Sequence, residues 1–129
     1  LGPEQVRLQF TRYVPRDIPW PLPSGWYGHL HNIYIHYAAE RGIPAALALV
    51  WLLAKMLVDF LRAARRLPAG ESDEKFLLRG CAAVVIAIMI SGFFELNLGD
   101  SEVLTLFLAA IACGYVARDH AIEREAQVA

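Results

Sequence analysis

Three apolar blocks decide what this chain can fold into. Residues 43–61, IPAALALVWLLAKMLVDFL, hold 16 apolar residues in 19, and as a helix they rise about 28 Å at ~1.5 Å per residue, close to the ~30 Å of a bilayer's hydrocarbon core. Residues 76–94 carry a charge only at Arg79, whose long side chain can snorkel toward headgroups. Residues 103–117, VLTLFLAAIACGYVA, are uncharged throughout but number 15, short of the roughly 17–25 residues of a spanning helix. A soluble bundle would need a polar face on each helix at 3.6-residue spacing. The stretches 80–94 and 103–117 carry no charge at any phase. The expected fold is therefore all-α and integral to the membrane. Three transmembrane helices, at about 43–61, 76–94 and 103–117, follow a partly extended, partly helical loop.

Charge placement gives the orientation. With 12 Lys+Arg against 13 Asp+Glu the net charge is −1, so no basic excess is present to neutralise phosphates, and a nucleic-acid partner is not expected. Residues 62–79 contain Arg62, Arg65, Arg66, Lys75 and Arg79, whereas the other connection, ELNLGDSE at 95–102, has three acids and no cation. The positive-inside rule then makes 62–75 a cytoplasmic loop and 118–129 a cytoplasmic tail. It leaves 1–42 and 95–102 on the outer, periplasm-like face. Within the first block Lys55 and Asp59 stand four apart, as a self-satisfied pair near the interface or as an intramembrane site, with no third partner evident. Cys81 and Cys113 lie inside apolar blocks and form no readable disulfide or zinc pattern. The chain opens at Leu1, in what reads as a loop and without a signal peptide, and is expected to be a fragment.

The outer segment carries the chemistry. Pro15, Pro19, Pro21 and Pro23 forbid a continuous helix. Tyr13, Trp20, Trp26 and Tyr27 interleave with them as headgroup-level anchors or as platforms for sugar stacking. From Asn32 to Arg41 nothing breaks a helix, Gly42 offers a C-terminal stop, and Pro44 suits the first turn of the next helix. His29, His31 and His36 fall within eight residues. A helix beginning near Asn32 turns His36 away from His31, which argues against a metal site. His36 and Glu40 share one helix face. In the loop FFELNLGDSEV, Gly99 permits a reversal, Asp100 or Ser101 can cap the following helix, and Glu102 suits its positive end. Glu95, Asn97, Asp100 and Glu102 also crowd onto the histidines' side of the membrane.

The run His31-Asn32, nine residues, then Gly42 resembles the His-[Asn/Ser/Gln]-x9-Gly pattern of the bacterial O-antigen ligase and polymerase superfamily. The surroundings are similar too: Gly2-Pro3, the doublet His29-Leu30-His31-Asn32, Glu40-x-Gly42, and FFELNLGDSE at 93–102. Where the family continues Gly-x-x-[Gly/Thr/Tyr], this chain has Gly42-Ile43-Pro44-Ala45, and Ala45 still permits close helix approach. The resemblance covers nearly the whole chain as the C-terminal third of a longer protein. It implies an enzyme of the bacterial inner membrane, with the histidine loop periplasmic, that moves a glycan from undecaprenyl diphosphate to an acceptor hydroxyl. The acceptor would be lipid A core (a ligase), a growing polysaccharide (a polymerase) or a protein.

Such a transfer needs a general base at the acceptor hydroxyl and cationic donors on the leaving diphosphate. A histidine, with an ordinary pKa near 6.5, suits the first task. His31 is the expected base, with His29, Asn32 and Glu40 shaping the substrate site. No metal or other cofactor is expected, because arginine forks can neutralise a diphosphate; those arginines are expected upstream of Leu1. The alternative is a non-catalytic multi-pass membrane protein or transporter segment in which the histidine loop is structural.

Overall fold

A computed structural model describes residues 2, 5–21, 29–67 and 72–128. Among them it is all helical, with no strand. Helix α1 (Gln5–Gln9) runs into a 3-10 turn at Phe10–Tyr13. From Val14 to Pro21 the proline-punctuated chain is irregular, with one turn closed by Ile18 N–H donating to the Pro15 carbonyl at 3.1 Å. Pro3, Pro23, Trp26 and Tyr27, named above, lie outside the described residues.

Helix α2 (Ile33–Arg41) ends at Gly42, which also opens α3 (Ile43–Arg66). Gly42 has φ +91°, a conformation that disfavours any residue with a Cβ, and Pro44 occupies the first turn of α3, where its missing N–H costs nothing. Helix α4 (Asp73–Ser91) starts under the Ser72 hydroxyl, which accepts from Lys75 N–H at 3.2 Å. Glu74 in that first turn is held below the usual carboxylate range, mainly by a backbone hydrogen bond and the Ser72 hydroxyl, and pairs with Arg124 at 2.9 Å. After a 3-10 turn (Asn97–Gly99) comes α5 (Ser101–Val128), capped by Asp100, whose carboxylate accepts from Glu102 N–H at 2.9 Å.

The helices differ from the expected spans in two ways. α5 does not stop near residue 117. Asp119 to Val128 contain neither Gly nor Pro, and the helix continues for 28 residues, taking in most of the expected tail. α4 is as long as 76–94 but lies three residues earlier, because it begins at Asp73 and the chain leaves the helix at Ser91 and turns through Gly92–Phe94. Asp73, Glu74, Lys75 and Arg79 occupy its first two turns. The uncharged part of the helix, Gly80–Ser91, then rises only about 18 Å. Among the described residues two helices, Ile43–Arg66 and Ser101–Arg124, are long and apolar enough by themselves to cross a membrane.

α3, α4 and α5 pack side by side in an up-down-up arrangement. The start of α2 touches the end of α4, Glu74 near the start of α4 meets Arg124 near the end of α5, and Asp59 of α3 meets Tyr115 of α5. Their shared core draws on residues one or two helical turns apart: Leu53, Met56, Phe60 and Ala63 from α3; Leu78, Cys81, Ala82 and Val85 from α4; Phe107, Ile111 and Ala117 from α5. Phe60, fully buried, is its centre. The Phe60 ring lies against the backbone of Gly114, where an added Cβ would come within 2.7 Å of the ring, and meets Tyr115 edge-on at 5.1 Å. Facing away from this core, Leu47, Trp51, Phe76, Ile90, Leu106 and Leu108 are exposed. Only 22% of each candidate span is buried within the chain, which leaves a surface far more apolar than water favours.

Two substitutions test this packing. Phe60→Ala should lower stability by about 3–5 kcal/mol, the usual cost of emptying an aromatic site. Gly114→Leu should lower it by about 1–3 kcal/mol through overpacking. Thermal melting of the purified protein followed by circular dichroism measures both, and an unchanged melting temperature for either would refute the assigned core.

Candidate functional site

The site grows from the junction between α2 and α4. A helix leaves its last four carbonyls without internal donors, and α2 supplies donors here. Tyr34 OH donates to the Met89 carbonyl at 2.7 Å. Just past the helix end, Ile33 N–H donates to the Gly92 carbonyl at 2.8 Å and Asn32 Nδ2 to the Phe93 carbonyl at 3.1 Å. Ile33 is buried against Gly92, at which a Cβ would fall 2.7 Å from the Ile33 side chain. The rings of Tyr34 and Phe93 lie 4.8 Å apart. Burial pushes the Tyr34 phenol above its ordinary pKa, so it remains a donor across the neutral range.

Asn32 serves both partners. Its Oδ1 caps α2 by accepting from Tyr34 N–H at 3.1 Å and Ile35 N–H at 3.0 Å, while its Nδ2 holds the loop after α4. That fixes the backbone on which His31 sits. His31 Nδ1 lies 3.1 Å from Glu95 Oε2, with both side chains open to solvent. A carboxylate accepting from Nδ1–H selects the tautomer whose Nε2 carries the lone pair, which is the arrangement of an oriented general base.

His29, half-buried, places its ring 4.7 Å from that of His31. With Glu95, Asn97, Asp100 and Val103 it lines an open cavity of about 500 Å³. The structure thus brings His29, His31 and Asn32 together with Glu95. Glu40 lies apart, two turns further along α2, where it pairs with His36 at 3.5 Å. Together with Tyr37 and Arg41 this pair borders a second, smaller cavity of about 120 Å³. Leu96 and Gly99 form a wall common to both cavities. Among the described residues, no group of three His, Cys, Asp or Glu is placed to hold a metal ion.

Sequence reasoning placed Glu95 only in an acidic loop near the histidines. Its pairing with His31 spans 64 positions and depends on how α4 ends. The Lys55–Asp59 pair also gains partners: Asp59 accepts from Tyr115 OH at 3.3 Å and lies 3.7 Å from Arg118, so this carboxylate ties α3 to α5.

No protein-family model, curated protein or solved structure matches the chain.

Asn32 is the residue whose loss should loosen the site without touching the histidines. Asn32→Ala should cost about 1–2 kcal/mol, typical of a lost helix cap. Asn32→Asp keeps the cap but not the donor to Phe93, and should cost less. Chemical denaturation of the two variants ranks them, and equal stability to the parent chain would show that the junction is held by other contacts.

Proposed function

We propose that this chain is the C-terminal part of an inner-membrane glycosyltransferase that moves a glycan from undecaprenyl diphosphate to an acceptor hydroxyl, as O-antigen ligases and polymerases do. The observation that carries the reading is the His31–Glu95 pair, set on backbone clamped by Asn32 and beside an open cavity lined by His29. His31 Nε2 takes the proton of the attacking hydroxyl. Glu95 holds the ring and stabilises the imidazolium that results. As the C1–O bond to the diphosphate breaks, the acceptor oxygen bonds to the anomeric carbon and the diphosphate leaves as an anion, which cationic side chains upstream of Leu1 would hold. Glu40 acts from the neighbouring cavity on a more distant part of the glycan or acceptor. The His31-Asn32-x9-Gly42 pattern supports the same reading, since Asn32 and Gly42 bound α2 at its two ends.

The proposed topology has three crossings. α3 and α5 run in the same direction, so a membrane crossed by both must be recrossed by the chain between them, and α4 is the helix available. Its apolar stretch is short, and Arg79 would snorkel to complete it. The His31 end then lies in the periplasm and the arginines of 62–66 in the cytoplasm.

Two experiments test these statements. In the full-length protein, His31→Ala should reduce glycan transfer about 100-fold or more, the usual worth of a general base, with expression and membrane insertion unchanged. Glu95→Gln should reduce it less, and normal transfer by the His31 variant would sink the assignment. For topology, Cys113→Ser variants carrying a single new cysteine are treated in intact cells with a membrane-impermeant maleimide. Ser101→Cys should react and Ser72→Cys should react only after permeabilisation; the opposite pattern would invert the orientation.

A further inference from the structure

We propose that the cleft between the last turns of α3 and the first candidate span's neighbour, α5, binds the phosphate of an anionic phospholipid headgroup in the cytoplasmic leaflet. The inference rests on the membrane reading above but concerns the opposite end of the molecule from His31. A cavity of about 220 Å³ opens there between the two helices. Two small buried residues, Ala63 and Ala121, line it between the helix backbones and leave it room.

Three arginines surround it. Arg62 and Arg66 stand on one face of α3, four residues apart, and Arg118 faces them from α5. Among the described residues that line it, Asp59 is the one acid. It is already shared among Lys55, Tyr115 OH and Arg118. Arg118 also pairs with Asp119 at 2.7 Å and stacks over the Tyr115 ring at 4.5 Å. Arg62 and Arg66 make no ion pair among the described residues. Their planar donor forks, at the mouth of a cavity, fit the oxygens of a phosphate.

Depth selects a lipid as the source of that phosphate. Arg62 lies 19 residues beyond Ile43, and Arg118 lies 17 beyond Ser101. At ~1.5 Å per residue these are rises of about 28 and 26 Å. Starting from one interface, both arginines reach the opposite interface of a ~30 Å hydrocarbon layer, the level of the headgroup phosphates. Exposed apolar side chains on both helices, Leu52 and Val58 among them, lie above this level and suit acyl chains.

The test uses the full chain reconstituted in lipid nanodiscs of phosphatidylcholine with increasing phosphatidylglycerol, with the lipids retained on extraction counted by native mass spectrometry. Phosphatidylglycerol should be retained over phosphatidylcholine. Arg62→Gln and Arg66→Gln should each weaken that preference about fivefold and together about 25-fold, as expected for removing surface cations near a headgroup. Ala121→Leu should abolish it by filling the cavity. Because both arginines are exposed, the glutamine variants should melt as the parent does. Equal retention of the two lipids, or an undiminished preference in the double variant, overturns the site. Displacement of phosphatidylglycerol by millimolar inorganic phosphate would assign the cavity to a soluble anion and overturn the lipid. Flotation with phosphatidylcholine vesicles alone checks the membrane reading separately: a chain that floats without lipid preference loses only the headgroup site, whereas a chain that stays soluble loses both.

Discussion

The carbonyl groups at the end of α4 need donors, and most of the site follows from where those donors come from. Tyr34 and, just beyond the helix, Ile33 and Asn32 supply them. Such bonds add only about 1 kcal/mol each when made but cost more when left unmade in a buried place. The junction therefore has one favourable register. In that register the loop after α4 carries Glu95 to His31, and Gly92 admits Ile33 at van der Waals contact. Geometry that serves backbone satisfaction thus also orients an imidazole.

The three long helices separate two kinds of chemistry. One end of the bundle gathers histidines and carboxylates around open cavities, and the other gathers arginines around a cleft where, among the described residues, the one acid is already shared. Between them the packing is apolar except for the charged and phenolic network at Asp59. That network is nearer the arginine end and links α3 directly to α5, so the two helices are joined by electrostatics as well as by Phe60 against Gly114.

Much of this was legible one residue at a time. The stop at Gly42, the proline in the first turn of α3, the cap at Asp100 and the irregular proline stretch are local effects of φ, missing N–H groups and short polar side chains, and they are read from neighbours in the chain. The position of α4 and the length of α5 were less so. Hydropathy marks apolar runs, but α5 continues through a polar stretch of good helix formers, and α4 begins with charged residues inside the helix. The Lys55–Asp59 pair was legible, but Glu95 as the partner of His31, and Tyr115 and Arg118 as further partners of Asp59, were not, because each comes from another helix or its following loop, and charge spacing along one helix reports only neighbours three or four positions away.

Helix α2 is pinned at its first turn to α4 and joined at its last to α3 through the single residue Gly42. It is a strut with both ends anchored. A ligand at His31, were the proposed site to take one, would meet a side chain whose backbone has already lost its freedom in folding, so little ordering entropy would remain to be spent on binding. Tilting α2 to close around such a ligand would break its bonds to the end of α4.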